Sequence, residues 1–188
     1  MGANVTRAAE GLFRRSFTVK EVLRMEKAGI ISEDENYELV EGEIVPMQAK
    51  THVHELIKSE LNEALVRALP RSLRLGIEST MYLSKNTLLE PDIVIYPKLL
   101  KLEEVKGTDI VLAVEVALTT LSYDRGLKAQ LYGRYGVQEL WVIDAKKRLT
   151  YVHSDPNDGV WRSVEKLGPD ADLKCVALPE FSMRLSGI

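Results

Sequence analysis

The stretch 109-DIVLAVEVA-117 is the most apolar strand candidate in the chain, and it reads as the centre of a sheet. One residue breaks its pattern. Glu115 interrupts a run that otherwise suits burial on both faces, where an ionised carboxylate is costly unless it is paired or well hydrogen-bonded. Alternation along the strand sets Val111, Ala113, Glu115 and Ala117 on one face, and the two alanines leave space beside the carboxylate for a metal or a phosphate. A structural carboxylate paired with a lysine or arginine is the other reading of the same pattern.

Working outward, a helix is expected over about Tyr123–Tyr135, stopped by Gly136, and then a strand, 138-QELWVID-144. On the amino-terminal side Pro91 and Pro97 bracket the short strand Asp92–Tyr96. A long helix over about His52–Leu69 carries Leu56, Ile57, Glu60, Leu61, Ala64, Leu65, Ala68 and Leu69 at helical spacing, and Pro70 ends it. Strands are expected near 73–78 and 80–84. Residues 37–45 read as a hairpin turning at Glu41-Gly42, preceded by a short helix that Thr18 and Glu21 begin as a capping box. Towards the carboxyl end, Leu149–Ser154 and Val160–Leu167 form a hairpin about Pro156-Asn157-Asp158-Gly159. Strands that precede and follow two long helices predict an α/β domain with a mixed sheet. Residues 1–15 are expected as a flexible arm and 16–188 as one domain.

Composition narrows the functional classes. The chain has 188 residues, a formal net charge of −3 and one cysteine, Cys175, so no internal disulfide or cysteine-rich zinc site is available. The amino terminus has arginines but no apolar run behind them, and no stretch approaches the ~20 apolar residues that span a bilayer. A cytoplasmic protein without membrane contact is expected. The acidic balance weighs against a strong non-specific nucleic-acid binder, although a local basic patch or a bound cation can offset it. There is no glycine-rich nucleotide loop and no serine-nucleophile elbow.

Asp92 gains weight from Glu115, because two carboxylates at neighbouring strand ends make a hard oxygen site suited to Mg²⁺. Lys128 lies on the helix that returns over that sheet, and an ion pair with Asp124 four residues back is its plain alternative. Glu38 and Glu41, in the first hairpin, are secondary acidic candidates. His52 and His54 open the long helix, where a ring could meet a phosphate or cap the helix. The tyrosines, Tyr132 among them, and both tryptophans read as core or sheet-surface aromatics.

Four stretches together resemble the Uma-two family of restriction-endonuclease-like proteins, within the PD-(D/E)XK nuclease superfamily: YELVEGEIV (37–45), His54, EPDIVIYP (90–97) and VEVALTTLSYDRGLKAQLYGRYGVQELWVID (114–144). The resemblance covers about residues 17–154. It implies a restriction-endonuclease-like fold, with Asp92 and Glu115 as the acidic pair and the Val116 carbonyl as a further metal ligand. The superfamily's lysine usually follows the acid by two residues, where this chain has Ala117; the resemblance moves that role to Lys128. The implied activity is hydrolysis of DNA phosphodiester bonds with Mg²⁺ or Mn²⁺, with Glu41, or else Glu38, completing the acidic cluster and His54 and Tyr132 as accessory residues. The alternatives are an inactive nuclease-fold module that binds nucleic acid or protein, and a structural oligomer in which Glu115 and Lys128 form a buried pair. Exposed edges of the carboxyl-terminal hairpins suggest a homodimer.

Overall fold

A computed structural model describes residues 5–7, 13–32, 34–47 and 51–188. The arm expected over 1–15 lies largely outside the described residues; within it, β1 (Val5–Arg7) pairs antiparallel with β2 (Phe13–Arg15). The chain divides into two compact units, one of Met1–Ala49 with Thr80–Glu90 and one of Lys50–Ser79 with Pro91–Ile188.

In the first unit α1 (Val19–Lys27) starts at the expected capping box, with the Thr18 side chain accepting from the Glu21 N–H and the Glu21 carboxylate accepting from the Thr18 N–H. The hairpin of β3 (Tyr37–Val40) and β4 (Glu43–Pro46) turns at Glu41 and Gly42, both in the left-handed region at φ 49° and 92°. That backbone matches the twist of paired strands, and Gly42 is required there twice over, since a Cβ would meet Ser16 Oγ at 1.8 Å. Strand β6 (Met81–Ser84) and the unforeseen β7 (Thr87–Leu89) complete a four-stranded sheet in the order β4-β3-β7-β6. Val22, Ile31, Tyr37, Leu39 and Leu88 form its core.

The second unit holds α2 (His52–Arg67) and a six-stranded mixed sheet in the order β12-β11-β10-β9-β8-β5. Its strands are β5 (Leu73–Ile77), β8 (Ile93–Pro97), β9 (Leu112–Ala117), β10 (Glu139–Asp144), β11 (Leu149–Asn157) and β12 (Val160–Leu167). Only β9 and β10 run parallel. A parallel pair needs a long crossover, and the helical stretch between the two supplies it. As the apolar pattern requires, β9 is central and buried throughout. It starts three residues later than expected, because Gly107–Asp109 forms a 3-10 turn.

One face of this sheet presents Ile93, Ile95, Leu112, Val114, Val116, Trp141 and Ile143 to Ile57, Leu61 and Leu65 of α2. The hairpin β13 (Leu173–Cys175) and β14 (Leu178–Met183) joins the same core, with Phe181 5.6 Å from the Trp141 ring. Each fully buried Leu or Ile side chain contributes roughly 1.5–3 kcal/mol. The buried stripe of α2 differs from the expected one. His54, Ile57, Lys58, Leu61 and Leu65 face inward, whereas Leu56 and Glu60 are exposed.

The crossover helix is not uniform. A single turn α3 (Leu121–Tyr123) leads into a π-helical segment, Asp124–Lys128, and then α4 (Ala129–Arg134), which ends before Gly136 at φ 79°. The hairpin between β11 and β12 turns on Asp158-Gly159 alone, since Pro156 and Asn157 continue β11.

Candidate active site

Strand pairing puts the two acidic candidates opposite each other. Ile93 pairs with Val114 in antiparallel register, so one step further Asp92 stands across from Glu115. The ends of β8 and β9 are tied at that point by the Asp92 side chain, whose Oδ2 accepts from the Val116 N–H at 2.7 Å. Both carboxylates are buried, at 6% and 5% exposure. Charge can stay on them only because each has partners.

Glu115 alternates with Val114 and Val116, which face α2, so its side chain leaves the opposite face of the sheet, towards the crossover helix. There Lys128 Nζ lies 2.8 Å from Oε1, and the Tyr132 hydroxyl donates to the same oxygen at 2.6 Å. Lys128 sits 4.0 Å from Asp124, so Glu115 rather than its own helix neighbour is its main partner. The room that the flanking alanines leave beside Glu115 is therefore taken up, at least in part, by an ammonium and a phenol. The π-helical segment has Asp124 and Lys128 as its buried residues and leaves Arg125 exposed.

Asp92 is held from α2. His54 Nε2 lies 3.0 Å from Oδ1, and His54 Nδ1 lies 3.1 Å from Glu55 Oε1. Burial works against a charged His54, but its contacts with Asp92 and Glu55 together outweigh this and lift the imidazole above its ordinary value. Thr51, not a histidine, caps this helix. His52 is exposed.

A polar group that the sequence reading missed continues from here. Lys58, buried one turn beyond His54, pairs with Glu55 at 2.8 Å and with Glu78. Glu78 has φ 47°, and its N–H donates to the Asp92 carbonyl. The signal was available: His54 and Lys58 are spaced i, i+4 beside Ile57, Leu61 and Leu65, two polar residues inside a stripe that should be apolar. Glu38 and Glu41 lie in the first unit. There Glu38 is buried and accepts from the Glu90 N–H at 3.0 Å, and the Glu41 carbonyl accepts from Ser16 Oγ.

Among the described residues no group of three or more His, Cys, Asp or Glu side chains gathers as a ready metal cage. The donor chemistry nevertheless fits Mg²⁺, which takes one or two carboxylates and keeps several waters, and each carboxylate oxygen has two lone pairs. Among the described residues no helix is long and apolar enough to cross a membrane.

A central mixed sheet flanked by helices gives this chain a restriction-endonuclease-like fold. The family model described as "Putative restriction endonuclease" matches residues 19–186, and the chain belongs to that family, Uma2. A solved structure of similar fold is a protein from Anabaena variabilis titled a putative nuclease belonging to DUF820. It is 18% identical, with a TM-score of 0.71 over 90% of this chain and 96% of that one. No curated protein matches.

Proposed function

We propose that this chain is a metal-dependent DNA endonuclease that hydrolyses phosphodiester bonds. The observation that carries the reading is the burial of Asp92 and Glu115 at the neighbouring ends of β8 and β9, where Asp92 accepts from the Val116 N–H and Lys128 sits on Glu115. Asp92, Glu115 and the Val116 carbonyl would hold Mg²⁺ or Mn²⁺. Such an ion lowers the pKa of a bound water and offsets charge on the phosphate oxygens.

The remaining roles belong to the chain's own side chains. His54 and the Val116 N–H fix the Asp92 carboxylate from two sides. Tyr132 and Lys128 fix Glu115. Lys128, already at the acid, is also the cation available to charge that develops on the phosphate. Glu38 and Glu41 belong to the first unit.

A second reading has support in the same contact. Glu115 neutralised by Lys128 at 2.8 Å is also what a nuclease-fold module without turnover would contain, one that binds nucleic acid or protein. Supercoiled plasmid separates the two. Nicking with Mg²⁺ or Mn²⁺ that chelator abolishes and Asp92→Asn removes supports the enzyme, while a gel shift without any nicking leaves the binding module.

A further inference from the structure

We propose that the groove between α4 and β12 seats a nucleic-acid strand, with Arg125 and Arg134 on its phosphates; this rests on the nuclease reading above. The groove is open, has a volume of about 540 Å³ and lies wholly within the second unit. Arg125 and Arg134 line it from the helix, and Val160, Trp161 and Val164 line it from the strand. Asp158 is the single carboxylate at its edge. Two guanidinium groups against one carboxylate make a locally cationic site on a chain whose net charge is −3.

The groove is firmly built. The Trp161 indole donates to the Ala129 carbonyl at 2.7 Å, which fastens the strand to the helix. Gly133 eases that approach, because a Cβ there would stand 3.1 Å from the indole nitrogen, tighter than ordinary contact. Trp161 also meets the buried His153 ring edge-on, with centroids 5.7 Å apart. Val160 and Val164 remain 63% and 51% exposed, an apolar wall beside the cations that suits sugar and base surfaces.

Arg125 is preorganised. Its guanidinium lies 3.6 Å over the Tyr151 ring, so less rotamer freedom is lost when it takes a phosphate. It is exposed and belongs to the same π-helical segment as Lys128, so the groove begins within one turn of the candidate active site. Arg125 lies in the π-helical segment and Arg134 at the end of α4, so the two cations are spread along one wall of the groove. Cations spread in this way suit successive phosphates of one strand.

Binding of the full chain to a short labelled duplex, in chelator and across a salt series, tests this. Arg125→Gln and Arg134→Gln should each weaken binding several-fold and lower the salt slope by about 0.9. Arg125→Lys keeps the charge and should restore the slope, which separates a lost phosphate contact from a loosened Tyr151 stack. Lys174→Gln, an exposed cation on β13, should bind as wild type. Wild-type affinity and slope in both arginine-to-glutamine variants, or no binding by the unaltered chain, overturns the proposal. Plasmid cleavage with Mg²⁺ is scored separately. The arginine pattern without cleavage keeps the groove and removes the nuclease reading, while cleavage with no arginine pattern does the reverse.

Discussion

Lys128 Nζ stands 2.8 Å from Glu115 Oε1, and the two side chains are only 4% and 6% exposed. At that burial the pair is energetically coupled whatever chemistry it serves. Removing one partner of a buried pair strands a charge, at about 3–5 kcal/mol. Lys128→Met should cost about that much in urea unfolding. Glu115→Gln should cost less, since Asp124 still faces the ammonium at 4.0 Å. The double variant should lose clearly less than the sum; strict additivity would show the contact to be energetically idle. Loss of stability in Glu115→Gln therefore does not by itself argue against a catalytic role.

His54 should behave as a positioning residue for Asp92. Its ring lies 3.0 Å from Oδ1, so His54→Gln removes the brace and leaves the carboxylate in place. Mn²⁺ affinity by titration calorimetry should fall about 10–100-fold, the range seen when the partner of a ligand is lost. Unchanged affinity with lowered stability would limit His54 to packing.

Two buried groups should set opposite slopes of stability with pH. Burial raises the Glu139 carboxyl above its usual range, although Trp141 and the Val176 N–H donate to it. Its contribution is complete below the ordinary carboxylate range and is lost as pH rises through the raised value. Burial depresses His153, whose contribution is present above the ordinary imidazole range and is lost as pH falls through the lowered value. Thermal unfolding of Glu139→Gln should lose the decline that begins above the carboxylate range. His153→Phe should lose the decline on the acid side of neutrality. Profiles parallel to wild type would refute both assignments.

The two compact units share one chain that crosses between them, since Thr80–Glu90 is inserted between parts of the second. We expect one domain over 16–188 and hence a single calorimetric transition whose van't Hoff and calorimetric enthalpies agree. Two resolved transitions would make the units independent domains.

The central strands were legible because their signals are local and strong. An apolar run broken by Glu115, and a glycine after the crossover helix, are visible without tertiary information. Strand β7 was not, since three residues, Thr87–Leu89, are too few to show alternation. The carboxyl end reads as hairpins, but the bounds of the one over Leu173–Met183 do not show: its buried residues, Leu173, Cys175, Leu178 and Phe181, are unevenly spaced about a short turn, and their burial depends on the sheet they cover. In the candidate site, Asp92, Glu115 and Lys128 are named from sequence, and Tyr132 enters as an accessory residue by the resemblance, while its own spacing reads as a core aromatic. Only the fold brings its hydroxyl to Glu115, seventeen residues away.

The π-helical segment makes chain length part of the site's specification. A π-turn carries one more residue than an α-turn, and each residue of an α-helix advances the side chains by about 100°. Deleting one residue between Asp124 and Lys128 would let the backbone relax to ordinary helix and turn everything upstream relative to Lys128. Tyr123 would then stand four residues before Lys128, where Asp124 now stands. In this crossover the count of residues constrains the site as a side chain does.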